Sequence, residues 1–401
     1  MNDHTNNNTR RSFLKKSGLS VPLLLSAGSM PALGSVRDTP AQPSEGRAAV
    51  NFIYDGLWLS PGEYVNKLQE ISQSGGIEPD YYGNGGAVTA LEQKFVQLTG
   101  KEKAIYMPSG TMANELAIKL LNGSNTKVLV PENSHIYRDE ADAAQSVHRQ
   151  RLVPVGKGKP YFELGDVKQT LQYLNQGEVF RSGLGTMAIE HPVRRAQDTA
   201  IPVEILQEVT RYAKAQGIKL HLDGARIHIA SAYTGISLME YASYFDTVYI
   251  SLYKYLNAAG GAMLCGDAEV IDQVSHQIKI HGGAVFQNWA NAAVALHYLD
   301  GIEGRWERVV ASATELIKDL NRMDGLNIQS VPNGTNIYEL TLAEGISLKT
   351  LANYLYSDHN IWLGRANEAG IVRFNVNESL LTRPVGEITD AWQTGLRMAK
   401  G

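Results

Sequence analysis

The chain has 401 residues, of which 43% are apolar and 19% are charged, a composition typical of globular proteins. Its 37 basic and 41 acidic residues give a formal charge of −4, so no positive field favours nucleic acid as a partner. The single cysteine, Cys265, excludes an internal disulfide. No Cys/His cluster has the spacing of zinc ligands, and we therefore predict no metal site.

The first forty residues have the layout of an export signal. Residues 9–16 read TRRSFLKK, and a weakly apolar stretch follows over residues 19–33. This order of charged, apolar and small residues, with paired arginines, is typical of a twin-arginine signal peptide. We predict a signal over residues 1–34, a periplasmic or otherwise exported location, and no membrane partner once the signal is removed. A disordered basic tail is the alternative.

The remaining chain alternates predicted helices and strands. Apolar spacing predicts helices over 64–71, 91–98, 112–121, 203–216, 238–243 and 285–299. Short apolar runs predict strands over 104–107, 127–130, 187–190, 219–222 and 247–251. This alternation predicts an α/β fold with a mainly parallel sheet, covered by helices, whose ligands bind at the carboxyl ends of the strands.

Two domains are expected after the signal. The large one covers residues 50–300, including an N-terminal segment over 50–76. The smaller one covers residues 305–401 and has an α+β pattern.

The first chemical motif is a turn between a predicted strand and a predicted helix. It contains Ser109, Gly110 and Thr111. Backbone N–H groups at a helix start, together with two hydroxyl groups, can bind a phosphate. The alternative is a serine or threonine that caps the helix with no ligand.

Two further motifs follow predicted strands. Asp223 comes before small residues and could hold the proton of a ring nitrogen, although it could equally pair with Arg226. Lys254 follows the strand at 247–251, where burial would depress its pKa as imine chemistry requires. A phosphate-binding turn, an aspartate and a lysine are the three groups that hold pyridoxal 5′-phosphate.

One glycine motif has another interpretation. Residues 183–188 fit the G-x-G-x-x-A fingerprint of dinucleotide-binding proteins, but a polar segment precedes them and a predicted strand follows. The fingerprint belongs between a strand and a helix, so we interpret these residues as a loop.

Six stretches together resemble the threonine aldolase and β-eliminating lyase family of fold-type-I pyridoxal phosphate enzymes. They occur in family order at residues 81–86, 108–114, 190–194, 221–226, 251–254 and 281–283. The resemblance implies the fold of that family for the large domain. It also implies that Lys254 forms the Schiff base with the cofactor and that Asp223 contacts the ring nitrogen. Ser109, Gly110 and Thr111 would bind the phosphate.

The same resemblance suggests roles for five other residues. His135 would stack on the ring and move protons, with a satisfied interior histidine as the alternative. Arg226 and Ser251 would lie beside the cofactor. Arg194 and Arg373 are candidates for the substrate carboxylate, which a guanidinium group binds with two hydrogen bonds.

The resemblance implies a lyase that acts on an amino acid. The favoured reaction is aldol cleavage of threonine or a related β-hydroxy amino acid to glycine and an aldehyde. β-Elimination, racemisation, transamination and a non-catalytic exported binding protein remain open. A homodimer or homotetramer is also implied, with the apolar helix at 285–299 as a candidate contact.

Three places depart from the family pattern. Residues 195–198 replace a Gly-Gly pair, residues 255–257 replace Gly-Leu-Gly, and Arg373 lacks the Thr-His that often follows it. Cofactor binding tolerates these changes, whereas the substrate and the outcome of the reaction depend on them.

Overall fold

The computed structural model describes residues 47–176 and 178–400. The export signal predicted over residues 1–34 lies outside the described residues. In the part of the chain that the structure describes, no helix has both the length and the apolar character that a bilayer span needs.

A seven-stranded sheet forms the centre of the described chain, and two smaller sheets accompany it. The strands are β1 (Val50–Asn51), β2 (Lys103–Met107), β3 (Lys127–Pro131), β4 (Arg151–Val155), β5 (Leu184–Glu190), β6 (Lys219–Asp223), β7 (Thr247–Ser251), β8 (Ala262–Gly266), β9 (Leu326–Ser330), β10 (Ile337–Leu342), β11 (Ile361–Trp362) and β12 (Val372–Asn375).

Helices cover the large sheet and build the C-terminal part. They are α1 (Pro61–Gly75), α2 (Gly86–Thr99), α3 (Gly110–Asn122), α4 (His135–Arg138), α5 (Ala143–His148), α6 (Leu164–Asn175), α7 (Val203–Ala215), α8 (Ile227–Thr234), α9 (Leu238–Ser243), α10 (Ala268–Ile280), α11 (Trp289–Leu299), α12 (Ile302–Leu320), α13 (Leu348–His359) and α14 (Val385–Ala399).

The large sheet has the order β2-β8-β7-β6-β5-β3-β4. Strands β4, β3, β5, β6 and β7 are parallel to one another, and β8 is antiparallel to both β2 and β7. The mainly parallel sheet is therefore confirmed. The parallel strands end at one edge, and their apolar side chains are buried because helices cover the faces.

The C-terminal part contains an antiparallel sheet of order β12-β10-β9. The N-terminal segment joins this part of the chain because β1 pairs in parallel with β11, Asn51 lying opposite Trp362. The domain limits predicted from the sequence stay a prediction.

Two local predictions are wrong. Residues 184–188 belong to strand β5 and not to a loop. A Cβ on Gly185 would lie 2.6 Å from Oδ1 of Asn122, so the glycine allows close packing between protein segments. Helix α11 begins at Trp289 and not at residue 285, because Asp80 accepts hydrogen bonds from both the backbone and the side chain of Asn288.

Candidate active site

A cavity of about 320 Å³ lies at the carboxyl ends of β5, β6 and β7. Seven of the residues singled out from the sequence line it: Ser109, Gly110, Thr111, His135, Asp223, Arg226 and Lys254. Residues from segments more than 140 positions apart in the chain thus meet at the edge where an α/β sheet binds ligands. Ser251, Arg194 and Arg373 are not among the lining residues.

The phosphate-binding turn opens helix α3. Ser109 is the N-cap residue, and its hydroxyl accepts a hydrogen bond from the backbone N–H of Met112 across 3.2 Å. Gly110 is buried against Tyr249, and a Cβ at position 110 would lie 2.1 Å from the phenol oxygen. The remaining N–H groups of the first turn, with the positive end of the helix, suit an anion.

Lys254 lies in the turn after β7 and is half-buried. Burial, reinforced by the guanidinium group of Arg226, lowers the pKa of Lys254 to about 8. Asp223 and Asp55 oppose part of that shift. An amine with this pKa is unprotonated in a useful fraction of molecules near neutral pH, which a nucleophilic lysine requires.

Asp223 ends β6 and is 2% exposed. Its Oδ2 accepts a hydrogen bond from Nδ2 of Asn114 across 3.2 Å, and its Oδ1 accepts one from the backbone N–H of Ala225 across 3.2 Å. Asn114 is itself held by His221, whose Nε2 lies 2.9 Å from Oδ1 of Asn114. These bonds fix the orientation of the carboxylate.

His135 stands at the start of helix α4, where Nδ1 of its ring lies 3.0 Å from Oε1 of Glu140. Burial alone would lower the pKa of His135, but the hydrogen bond to Glu140 and the charge of Asp223 outweigh it and raise that pKa. Burial raises the pKa of Glu140. The two groups can therefore share a proton.

Glu190 is a further carboxyl group of the cavity wall and ends β5. One oxygen accepts a hydrogen bond from the backbone N–H of His135 across 2.5 Å, and the other accepts one from the backbone N–H of Arg194 across 2.7 Å. Burial and the neighbouring Asp223 raise the pKa of Glu190 to about 7. Glu190 thus orders two of the predicted site segments.

Arg226 pairs with acidic groups other than Asp223. Its Nε donates to Oδ2 of Asp55 across 2.9 Å, and Oδ2 of Asp198 lies 3.6 Å away. Burial disfavours its charge, but Asp55 and Asp198 overcome this effect and raise the pKa of Arg226. Of the ion pairs within residues 47–176 and 178–400, none joins Asp223 to Arg226.

The two arginines predicted to bind a carboxylate occupy different places. Arg194 lies next to the site, with its guanidinium 4.0 Å from the carboxylate of Asp198. Arg373 lies on β12, where its Nε donates to Oδ1 of Asn375 across 3.1 Å and one terminal nitrogen has no hydrogen-bond partner. Substrate binding by either residue stays a prediction, as does the contact of Ser251 with the cofactor.

A metal ion is a second group that the cavity residues could hold. One potential ligand atom from each of His135, Glu140 and Asp223 lies within 4.8 Å of the others. However, Nδ2 of Asn114 donates to both carboxylates, across 2.7 Å to Glu140 and 3.2 Å to Asp223. Protein hydrogen bonds therefore already engage Oε1 of Glu140 and Oδ2 of Asp223.

Pyridoxal phosphate fits the donor set of the cavity. Lys254 supplies the amine for its aldehyde, Asp223 a carboxylate for its ring nitrogen, and the start of helix α3 the N–H groups for its phosphate. The cavity volume is within the range of about 300–1,000 Å³ for small-molecule sites.

Comparison with known proteins decides the family. The model of the beta-eliminating lyase family matches residues 74–343, which include every residue that lines the cavity. The chain belongs to the beta-eliminating lyase family. Pyridoxal phosphate is the cofactor of this family, in agreement with the fit of the cavity.

Individual relatives are more distant. The low-specificity L-threonine aldolase of Candida albicans is 32% identical over 212 residues, 52% of this chain and 56% of that protein. The Saccharomyces cerevisiae low-specificity L-threonine aldolase is 28% identical over 233 residues, 57% of this chain and 59% of that protein. The matched part of the chain thus spans less than two thirds of either relative.

A solved structure shows the fold. A candidate L-allo-threonine aldolase of Listeria monocytogenes superposes with a TM-score of 0.72 at 23% identity, covering 87% of this chain and 97% of that one. This likeness supports the α/β fold of the family.

Sequence reasoning missed five residues that organise the site: Asn114, Glu140, Glu190, Asp55 and Asp198. Asn114 and Glu190 stand inside motifs that the sequence already singled out, so their position was a usable signal. Asp55 pairs with a residue 171 positions later, and no local pattern indicates such a contact.

Proposed function

We propose that the protein is a pyridoxal phosphate lyase that cleaves threonine or a related β-hydroxy amino acid to glycine and an aldehyde. The observation that carries this proposal is the arrangement of Lys254, Asp223 and His135 around one cavity. The threonine aldolases among its relatives support the choice of substrate.

Each of these residues has a task that its surroundings permit. Pyridoxal phosphate, when bound, supplies an electron-accepting ring that stabilises negative charge at the substrate α-carbon. Asp223 keeps the ring nitrogen protonated, because a buried carboxylate held by Asn114 favours a neighbouring positive charge. Lys254 provides an amine that is unprotonated in a fraction of molecules near neutral pH, since the pKa of that group is lowered to about 8.

His135 is the base that we assign to the β-hydroxyl proton. Its Nδ1 faces Glu140, which leaves the other ring nitrogen available to a substrate. Glu140 favours the charged imidazolium that forms when the proton arrives. Arg194 and Arg373 would bind the substrate carboxylate.

A product assay tests the reaction. The purified protein, loaded with pyridoxal phosphate, is incubated separately with L-threonine, L-allo-threonine, serine and tryptophan, and the products are identified by mass. Glycine and acetaldehyde from either threonine isomer support aldol cleavage. Pyruvate, ammonia or indole without glycine would replace it with β-elimination, the reaction for which the family is named.

We also propose that residues 1–34 direct the folded protein through the twin-arginine route to the periplasm. Arg10 and Arg11 carry this proposal, together with the apolar stretch that follows. Replacing both arginines with lysine should retain the protein in the cytoplasm with its leader attached, as seen by fractionation and mass. Unchanged export of that variant would contradict the route.

A homodimer or homotetramer is the assembly we propose. Helix α11 remains the candidate contact, although most of its residues are buried within the chain. Light scattering of the purified protein should give a mass two or four times that of one chain, and the mass of a single chain would refute the proposal.

A further inference from the structure

Asn257, three residues after Lys254, adopts a backbone conformation that side chains rarely tolerate. Its φ is 54°, in the left-handed region, and the resembling family commonly has glycine in this turn. The residue is 6% exposed. An asparagine at such a position adds an amide group where a glycine would add nothing.

Both ends of that amide are bonded. Oδ1 of Asn257 accepts a hydrogen bond from the backbone N–H of Leu57 across 2.8 Å. Nδ2 donates to Oε1 of Glu378, which is 5% exposed. The other oxygen of Glu378 lies 2.8 Å from Nε of Arg305. The lysine turn is thus bonded to an N-terminal segment and to an ion pair from the C-terminal part, in which Glu378 is buried and Arg305 is half-buried.

The N-terminal segment lies directly on the turn. A Cβ on Gly56 would lie 2.3 Å from the backbone oxygen of Lys254 and 2.4 Å from Oδ1 of Asn257. Nδ2 of Asn51 donates to the backbone oxygen of Gly56 across 3.0 Å and so braces the segment. Only glycine fits this contact, which leaves the turn little freedom to move.

The same segment also reaches the other cation of the site. Asp55, one residue before Gly56, pairs with Arg226 across 2.9 Å. One short stretch of chain therefore holds the turn that carries Lys254 and also binds Arg226, the cation that acts most strongly on the Lys254 amine.

We propose that Asn257 is a positioning residue that fixes the Lys254 amine relative to Arg226, by bonding the lysine turn to Leu57 and Glu378. This proposal rests on the cofactor-binding role of Lys254. Removing the amide should let the turn relax, move the amine away from Arg226 and admit water. A greater distance from the positive charge of Arg226 and a greater exposure to water both favour the protonated form of the Lys254 nitrogen.

The first test compares N257G with wild type, each loaded with pyridoxal phosphate. Glycine accepts the left-handed backbone, so the substitution removes only the amide. The cofactor bound to the lysine has a yellow absorbance band in its protonated form, and the pH at which half of this absorbance is lost should rise by about 0.5 unit or more. The reason is that burial and the nearby cation then disfavour the protonated nitrogen less. An unchanged midpoint in N257G overturns the proposal.

A matched control is available at Asn360. Its φ is 50°, and its side chain donates to the backbone oxygen of Arg47 and accepts from Nε1 of Trp362, each across 2.8 Å. N360G therefore also loses two hydrogen bonds at a left-handed position. Its midpoint should match that of wild type, and an equal shift in both variants would overturn a specific role for Asn257.

A second pair of variants decides the matter should N257G not fold. N257D places a carboxylate against Glu378 and should shift the midpoint, whereas N257D/E378Q returns an N–H donor to the contact and should recover at least half of that shift. Recovery of thermal stability without recovery of the midpoint would reduce Asn257 to a structural role. A wild-type protein without the yellow band would refute the proposed function itself, so the two failures are distinguishable.

Discussion

Nδ2 of Asn114 donates to Oδ2 of Asp223 across 3.2 Å and thereby links the carboxylate assigned to the cofactor ring with the rest of the buried network. The same nitrogen donates to Glu140 across 2.7 Å, and the amide oxygen faces His221. Asn114 is completely buried. The position of Asp223 thus depends on a neutral amide that touches two acids and a histidine.

Replacing Asn114 with alanine should destabilise the protein and weaken cofactor binding. The change removes the hydrogen bonds of Asn114 to Oδ2 of Asp223 and Nε2 of His221, which costs about 1–3 kcal/mol for each unsatisfied group, whereas Glu140 keeps its contact with His135. Urea unfolding and titration with pyridoxal phosphate measure the two effects. N114D should bind the cofactor still more weakly, because it adds a third acid to the cluster. If N114A bound pyridoxal phosphate with the affinity of the wild-type protein, the network would not be what orients Asp223.

The pH response of Lys254 should reveal its surroundings. Modification of the Lys254 amine in the cofactor-free wild-type protein by an amine-reactive reagent, mapped by mass spectrometry, should have a midpoint near pH 8, because burial and then Arg226 lower the pKa to about 8. R226Q removes the positive neighbour and should therefore raise the midpoint, although burial keeps it below that of an ordinary lysine. Lys159 is the internal reference, an exposed lysine whose hydrogen bond to Asp166 raises its pKa and whose midpoint should not change in R226Q. A midpoint in R226Q equal to or lower than wild type would contradict the geometry.

The His135–Glu140 contact predicts a second pH effect of opposite sign. E140Q removes the carboxylate that raises the pKa of His135, so that pKa should fall. Proton NMR of the imidazole in the full protein would follow it directly, and the acidic limb of the activity profile should move in the same direction. E208Q, a change at an exposed glutamate of α7, should leave both measurements alone. No movement in E140Q would remove Glu140 from this role.

Gly110 should tolerate no side chain. Its Cβ would lie 2.1 Å from the phenol oxygen of the buried Tyr249, so G110A should cost about 1–3 kcal/mol through overpacking and should weaken cofactor binding. The matched control is G165A in the first turn of α6, where no atom lies within 4 Å of the added carbon. That change should be neutral or slightly stabilising in thermal unfolding. Equal stability of the two variants would refute the packing argument.

Arg373 provides a test of substrate binding. R373A should raise KM for the amino acid at least tenfold, because an arginine–carboxylate pair contributes two charged hydrogen bonds, roughly 1.5–3 kcal/mol each. Cofactor affinity should not change, since Arg373 lies outside the cavity lining. R365A, at an exposed site nearby in the sequence, is the control. An unchanged KM would assign the carboxylate to another residue.

The sequence predicted the main elements of the large sheet well, and physical reasons explain where it did not. Strand β7 and helix α9 have the predicted limits, 247–251 and 238–243, because strong apolar patterns define both. Strand β8 was missed, since it follows β7 after a glycine-rich turn with no helix between them. It runs antiparallel to β7 and so departs from the alternation of strands and helices on which the prediction was based. Fold reasoning from periodicity alone does not detect such a reversal.

The site was predictable where a motif follows a strand directly. Asp223 and Lys254 are of this kind, and the cavity contains both. Asp55 and Glu378 instead act through contacts between distant parts of the chain, 171 and 121 positions from their partners Arg226 and Asn257. Tertiary packing creates these contacts, so a single sequence without its fold leaves them hidden.

The pairing of β1 with β11 has a consequence for biogenesis. Asn51 and its neighbours gain their strand partner only after residue 362 has been synthesised, although they brace the lysine turn at residue 254. The ribosome must therefore have passed residue 362 before the amine of the site can acquire its final support. A secretion pathway that transports unfolded polypeptide would move the chain before β1 pairs with β11. A pathway for folded proteins would allow this pairing to be completed before transport.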